Sequence, residues 1–281
     1  MFYSLNCRGT LLDLSQPVIM GVLNLTPDSF FDGGKYNSPG AALAHTRQML
    51  TEGAHIIDIG GYSSRPGAQD ISVDEELSRV VPVIQVLKDA FPEAIFSIDT
   101  FRATVAAQAL QLGVQIVNDI SGGNLDDNMI STVASFPFTP YIMMHMQGTP
   151  QTMQLAPGYD DVVAEVKDFF VGGISLARQA GIHDIVIDPG FGFGKTLDHN
   201  YQLLAALKEF SWLDVPIMVG LSRKSMIYKL IDIKPEEAGP LSAILHYLAA
   251  SKGAHILRVH DVRATVQTLK LRHHLAAYGV V

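Results

Sequence analysis

Val18-Ile19-Met20-Gly21-Val22-Leu23-Asn24-Leu25 is an almost unbroken apolar run that ends on an amide side chain, and the chain repeats this arrangement seven more times. The further runs cover 55–61, 95–100, 114–121, 141–146, 184–190, 216–221 and 255–261. Continuous Val, Ile, Leu and Met over so few residues describe a strand buried on both faces, which is the signature of a parallel sheet. Between and after the runs lie stretches of helical pattern at 39–52, 73–90, 102–112, 126–135, 160–179, 200–210, 241–251 and 263–277. Eight βα units in one chain predict an α/β protein of the TIM (β/α)8-barrel class, read as a single domain over 1–281. A doubly wound open sheet has the same βαβα order, but no early Gly-x-Gly-x-x-Gly turn followed by a ribose-binding acid supports a dinucleotide fold.

The runs tend to finish on polar or ionisable residues: Asn24, Asp58, Asp99, Asn118, His145, Asp188 and His260. In a closed parallel barrel all these ends face one way, so residues scattered along the sequence meet at one mouth. Two connections add anion-handling chemistry to that mouth. The first, Thr26 to Lys35, and the second, Gly60 to Ala68, combine glycines with hydroxyls and a cation, which suits a closing loop as well as a plain turn.

Composition narrows the function. With 48% hydrophobic residues, 17% charged residues and 24 glycines the chain has the material for a large core. A net charge of -8, from 20 basic against 28 acidic residues, argues against broad capture of nucleic acid. The one cysteine, Cys7, cannot form an intrachain disulfide and reads as a small apolar filler in a reducing compartment. No basic head with an apolar run and cleavage site opens the chain, and no apolar stretch approaches membrane-spanning length, so the expectation is a cytoplasmic protein without a membrane partner.

Individual candidates leave alternatives open. Asn24 can ligate a hard cation or simply cap a loop. Ser64 and Arg65 suit a phosphate, although Arg65 also fits a surface ion pair. Arg258 and His260 alternate along the last strand and so project to one side of it, as a clamp or as a core histidine beside an arginine. Asp99, Asn118 and Asp188 match the donor edge of a flat nitrogen heterocycle, while Asp99 also stands where a helix cap would. In Asp188-Pro189-Gly190-Phe191-Gly192-Phe193-Gly194-Lys195 the glycines allow close approach and Phe193 is either an apolar wall or core. Lys195-Thr196 lacks the context of a P-loop. Gly220 to Ser225 brings Arg223, Lys224 and two hydroxyls to the mouth, with Arg223 read as a structural clamp or an anion contact. Met144 reads equally as ring-facing or packing, and His145 as a structural histidine with no local partner to activate it.

Assembled in order, these motifs resemble the dihydropteroate synthase family over about 18–275. The carriers are Gly21 to Phe30, Gly60 to Ala68, Asp188 to Lys195, Ser222 to Ser225 and Arg258 to Val262. The resemblance implies condensation of 6-hydroxymethyl-7,8-dihydropterin pyrophosphate with 4-aminobenzoate, releasing pyrophosphate, with Mg2+ as cofactor, in a homodimer. It implies pterin recognition by Asp99, Asn118, Met144, Asp188 and Lys224. Pyrophosphate handling falls to Asn24, Ser64, Arg65, Arg258 and His260, with Asn24 on the metal, and the aminobenzoate pocket to Pro66, Phe193 and Ser225. Lys224, Arg258 and His260 are the implied catalytic set, and no residue is implied as a nucleophile.

Three positions depart from the usual pattern: Tyr62 stands where glutamate is common, Tyr228 where glycine is common, and Leu241-Ser242 replaces a Gly-Ser or Gly-Thr start. A pterin methyltransferase domain and a non-catalytic pterin-binding relative therefore remain as competing readings.

Overall fold

The computed structural model describes residues 3–26, 38–65 and 67–279. Ser4–Cys7 (β1) and Thr10–Asp13 (β2) form an antiparallel hairpin. Eight parallel strands follow: Val18–Asn24 (β3), Ile56–Gly60 (β4), Ile95–Asp99 (β5), Ile116–Asp119 (β6), Tyr141–Met144 (β7), Ile185–Asp188 (β8), Met218–Val219 (β9) and Ile256–Val259 (β10). They hydrogen-bond in the order β8-β7-β6-β5-β4-β3-β10-β9. A parallel bridge between Ile187 and Ile217, with the Ile187 N–H donating 3.0 Å to Pro216 O, brings the two ends together. The expected (β/α)8 barrel is what the chain forms.

The helices are Pro39–Glu52 (α1), Val73–Ala90 (α2), Ala103–Gln111 (α3), Met129–Ala134 (α4), Val162–Gln179 (α5), Leu197–Ala205 (α6), Ser225–Ile231 (α7), Gly239–Ser251 (α8) and Val262–Ala276 (α9). The bounds of α1 and α2 match the sequence pattern because each begins on a serine cap. Ser38 Oγ accepts from Ala41 N and Ser72 Oγ from Glu75 N. The pattern at 200–210 resolves differently: α6 ends at Ala205 and the chain tightens into a 3-10 helix, Leu207–Leu213. The short α7 and the hairpin are additions that the apolar periodicity did not indicate.

The hairpin seals the barrel from below. Arg8 and Gly9 both have positive φ, at 53° and 102°, as a two-residue turn between right-twisted strands requires. Leu5, Cys7, Leu12 and Leu14 are buried against the lowest inward residues of the barrel, among them Val18, Ile56, Ile116 and Ile256. Cys7 is the apolar filler expected of it. The hairpin is tied down by Asn6 N donating 3.1 Å to Asp184 Oδ2 and by Arg8 Nη1 donating to the carbonyls of Leu110 and Val114.

Above this floor the two-residue period of a strand takes each wall from apolar to polar. Ile56 is followed inward by Asp58, Ile116 by Asn118, Ile142 by Met144, Val186 by Asp188 and Ile256 by Arg258. On β5, Ile95 leads through Ser97 to Asp99. A single alternation thus builds a sealed base and a chemically equipped mouth.

Candidate active site

Asp58, a polar strand end to which the sequence reading gave no role, is the hub of the mouth. It is fully buried, and its Oδ2 accepts from Asn118 Nδ2 at 3.0 Å and from Arg258 Nε at 2.7 Å. Arg258 Nη2 also donates 2.5 Å to Asp99 Oδ2. Three strands, β4, β5 and β10, are therefore tied through one guanidinium, and Asp58 adds β6 through Asn118. Desolvation works against the charge on Arg258, but Asp58 and Asp99 outweigh it and hold the guanidinium above its ordinary range. Desolvation raises the Asp99 carboxyl to about 7, opposed by Arg258 and reinforced by Asp58. Among the described residues Asp58 Oδ1 has no hydrogen-bond partner. Asp99 is not a helix cap: the first N–H of α3, on Ala103, is met by Asp126 Oδ2 at 2.8 Å.

Around this hub lies a narrow cleft lined by Ser64, Asp99, Asn118, Met144, Asp188, Phe193, Lys224 and Arg258, with Ile120, Phe191 and Gly220 completing the wall. A roomier groove between α5 and α6, edged by Tyr159, Asp161, His199 and Glu209, lies outside the barrel and is open to solvent. The enclosed mouth, with its convergent polar groups, is the site.

On one wall Asp188 Oδ1 accepts from Gly190 N at 2.8 Å, and desolvation raises its carboxyl despite that bond and the nearby cations. Gly190 has φ 72°, and a Cβ there would overlap His145 O, so only glycine lets the β8 loop pass so close to the end of β7. Lys224 caps the start of α7 in extended conformation and holds its Nζ 4.3 Å from the centroid of the Phe193 ring, a cation–π contact. Desolvation and Arg258 lower the Lys224 ammonium to about 8, against the pull of Asp188 and Asp99.

His145 is a satisfied structural histidine whose partner lies far from it in sequence. Lys195 Nζ lies 2.9 Å from His145 Nδ1 and also donates to the carbonyls of His145 and Phe193, at 3.2 and 2.9 Å. Desolvation lowers Lys195 to about 7, and desolvation with the Lys195 charge lowers His145 to about 3. A neutral imidazole accepting from the lysine satisfies both groups. Fifty residues separate the two, so no local pattern announces the pair.

Arg223 is the structural clamp: it adopts φ 54° and donates through Nε and Nη2 to the two carboxylate oxygens of Asp261, each at 2.9 Å. His260 stands two residues beyond Arg258, half-buried, with its N–H donating 3.3 Å to Ser222 Oγ. Desolvation, then Arg258, lowers its imidazole to about 3, so it is neutral at working pH. Asn24 ends β3 with Oδ1 close to Gly60, the residue that the Asp99 side chain also approaches. Arg65 is half-buried and close enough for its charge to depress Lys224 and His260. Ser225 opens α7 beside Lys224 without lining the cavity. Pro66 and the loop over 27–37 lie outside the described residues.

The chain is a (β/α)8 barrel whose mouth gathers carboxylates, an amide and desolvated cations around one cleft, and the profile of the family "Pterin binding enzyme" matches residues 20–260, which places it in that class. A dihydropteroate synthase of Escherichia coli strain K12 is 48% identical over 266 residues, 94% of this chain and 93% of the relative. The crystal structure of Yersinia pestis dihydropteroate synthase in a sulfonamide drug complex superposes with a TM-score of 0.94 at 43% identity, covering 98% of this chain and all of that one. The Xanthomonas albilineans enzyme with 4-aminobenzoic acid gives 0.91 at 43% identity over 99% of each chain. The chain belongs to the dihydropteroate synthase family and is a transferase of folate biosynthesis. Its reaction condenses 6-hydroxymethyl-7,8-dihydropterin pyrophosphate with 4-aminobenzoate to give 7,8-dihydropteroate and pyrophosphate. That result sets aside the methyltransferase and the non-catalytic readings.

Proposed function

We propose that the buried cavity holds the pterin ring and that its rim divides the other two ligand parts. Asp99, Asn118, Asp188 and Lys224 meet the heteroatoms of the ring, and Met144 packs against its face. Ser64, Arg65, Arg258 and His260 hold the pyrophosphate, with Asn24 beside them. Phe193, Ser225 and Pro66 form the aminobenzoate pocket. The observation that carries this reading is the convergence of Asp99, Asn118, Asp188 and Arg258, from separate strands, and of Lys224, from the start of α7, on one narrow cleft.

In the reaction the carbon–oxygen bond to pyrophosphate breaks with its electron pair leaving on that oxygen, and the electron-rich pterin stabilises the positive charge developing at the exocyclic methylene. The lone pair of the aromatic amine bonds to that carbon as the nitrogen gives up one proton to the departing pyrophosphate or to water. Arg258 and Arg65 supply fixed positive charge to the departing group, His260 donates as a neutral imidazole, and Lys224 holds the ring in register. The Arg258–Asp99 ion pair joins pterin recognition to leaving-group stabilisation, so the two tasks share a member. Among the described residues no cluster of three or more His, Cys, Asp or Glu is arranged to hold a metal ion. Asn24 offers a single hard oxygen, which fits Mg2+ only with diphosphate oxygens and waters as its other ligands. When bound, the ion neutralises diphosphate charge.

The reading extends to a single-domain, cytoplasmic protein, supported by the lone buried cysteine and by the lack, among the described residues, of any helix long and apolar enough to cross a membrane. It also extends to sulfonamide binding in the aminobenzoate pocket and to a homodimer. Ile244 and Leu248, four residues apart on α8 and exposed, support a self-association face. Sedimentation velocity at assay concentration tests it, and a fully active monomer overturns it.

Calorimetric titration with pyrophosphate-free hydroxymethyldihydropterin tests the ring site. Asp188→Asn, which turns an acceptor into a donor, should weaken binding by about 100-fold. Unchanged affinity would remove the pterin from this cavity.

A further inference from the structure

Tyr62, where the chain departs from the common glutamate, is not a passive replacement. It is the second residue after β4, and its phenol is used in both directions: Oη donates 3.0 Å to Asp70 Oδ1 and accepts 2.6 Å from Gln151 Nε2. Its ring meets the edge of Phe101 at 4.9 Å, and the Arg102 guanidinium covers it at 5.1 Å. Arg102 in turn bonds buried Glu76 at 2.9 Å, Asp70 Oδ1 at 3.3 Å and Ile71 O at 2.5 Å. Both ends of the loop that carries Ser64 and Arg65 are thus pinned to one cation. A carboxylate at position 62 would confront Asp70 with a like charge, whereas a phenol supplies the donor that Asp70 needs.

The contact to Gln151 reaches further than this loop. Gln151 belongs to the exposed segment after β7, and three residues later Gln154 Nε2 donates 2.7 Å to Gly192 O, next to Phe193. The same segment is held together by Gln147, whose side chain exchanges two hydrogen bonds with Gly158, at 2.8 and 3.0 Å. Tyr159 Oη donates 2.8 Å to Gly194 O. The segment 147–159 therefore bonds the Arg65 loop through Gln151 and the Phe193 loop through Gln154 and Tyr159.

We propose that Tyr62 and Gln151 are positioning residues that hold the Arg65 loop at a set distance from the Phe193 loop, and so determine which aryl amine the site accepts. The proposal rests on the assignment of Arg65 to pyrophosphate and Phe193 to aminobenzoate made above. Neither Tyr62 nor Gln151 touches a reacting atom; both act through the loops they join.

The test is a double-mutant cycle of Tyr62→Phe and Gln151→Met, with kcat, both KM values and Tm measured for each variant. Tyr62→Phe keeps the ring stacking and removes only the hydroxyl. Each single variant should raise KM for 4-aminobenzoate by about three- to tenfold, while kcat and KM for the pterin pyrophosphate stay within about twofold. The double variant should be no worse than the poorer single one, because both break the same contact. Discrimination between 4-aminobenzoate and a ring-substituted analogue should fall in parallel. Multiplying effects in the double variant, or an unchanged aminobenzoate KM in Gln151→Met, an exposed position where folding is not at risk, overturns the proposal. Arg65→Ala separates the two layers of inference. If it leaves pterin pyrophosphate kinetics intact, the underlying site assignment fails; if it impairs them while Tyr62→Phe is silent, the strut alone fails.

Discussion

Ile56 and Asp58 lie two residues apart on β4, face the same interior and are both fully buried, yet opposite physics holds them there. Ile56 belongs to a base layer filled by aliphatic side chains and closed by the hairpin, where burial is favourable in itself. Asp58 belongs to a layer where burial is costly and is offset only by Asn118 and Arg258. The difference teaches that stability and chemistry occupy adjacent floors of one barrel. A buried ion-pair network of this kind is weak support for stability, but it holds donors and acceptors at fixed positions before a substrate arrives.

The sharpest way to break the comparison is Arg258→Ala. It strips the shared guanidinium from Asp58 and Asp99 and removes fixed charge from the leaving group, so the single-turnover rate on bound pterin pyrophosphate should fall by about 1,000-fold. Stability should fall by about 3 kcal/mol because buried Asp58 and half-buried Asp99 lose their partner. A rapid-quench rate within tenfold of the parent would remove the upper floor from the chemistry.

Ile56→Ala addresses the lower floor. It should cost about 2 to 4 kcal/mol in urea unfolding through lost transfer energy and a residual cavity, with kcat within about twofold at a temperature where the variant is folded. A loss of kcat at such a temperature would mean that the layers are not separable.

The smallest expected effect concerns pH. Burial lowers Lys224 to about 8 from the 10.5 of a free lysine. Below about 8 both folded and unfolded chains carry its proton. From there up to 10.5 the unfolded chain binds more protons, so stability gains from this group as pH rises. Lys224→Met should lack that rise. The difference between the two proteins should amount to about 1 kcal/mol across the window, after discounting for the solvent that reaches the half-buried side chain. Parallel pH profiles of the urea midpoint would contradict it.

The strands were readable because a buried parallel strand has to be apolar nearly throughout, and their polar last residues pointed to the mouth. Asp99, Asn118, Met144, Asp188, Phe193, Lys224 and Arg258 could be named on that ground, with the family motifs behind them, and they share one cavity. Contacts between distant loops were beyond reach. Tyr62 and Gln151 are 89 residues apart and Lys195 and His145 are 50 apart, and nothing in either neighbourhood requires the other. Asp58 was visible as a strand end, but its role depends on which side chains meet it across the barrel. The hairpin escaped because its strands are four residues each and their inward faces gain meaning only against the barrel floor. Leu207–Leu213 read as more of one helix because its apolar spacing suits either kind of turn.

The closing contact between β8 and β9 has a consequence of its own. β9 has only two residues, Pro216 has no N–H to contribute, and one bridge joins Ile187 to Ile217. This seam is where the wall is thinnest in backbone bonds and where deuterium should enter the barrel first. Asp188 stands on one side of it and Lys224 follows the strand on the other. On the proposed assignment a pterin gripped by both residues would be a stitch across the seam, so that binding would mend the weakest line in the scaffold that does the binding.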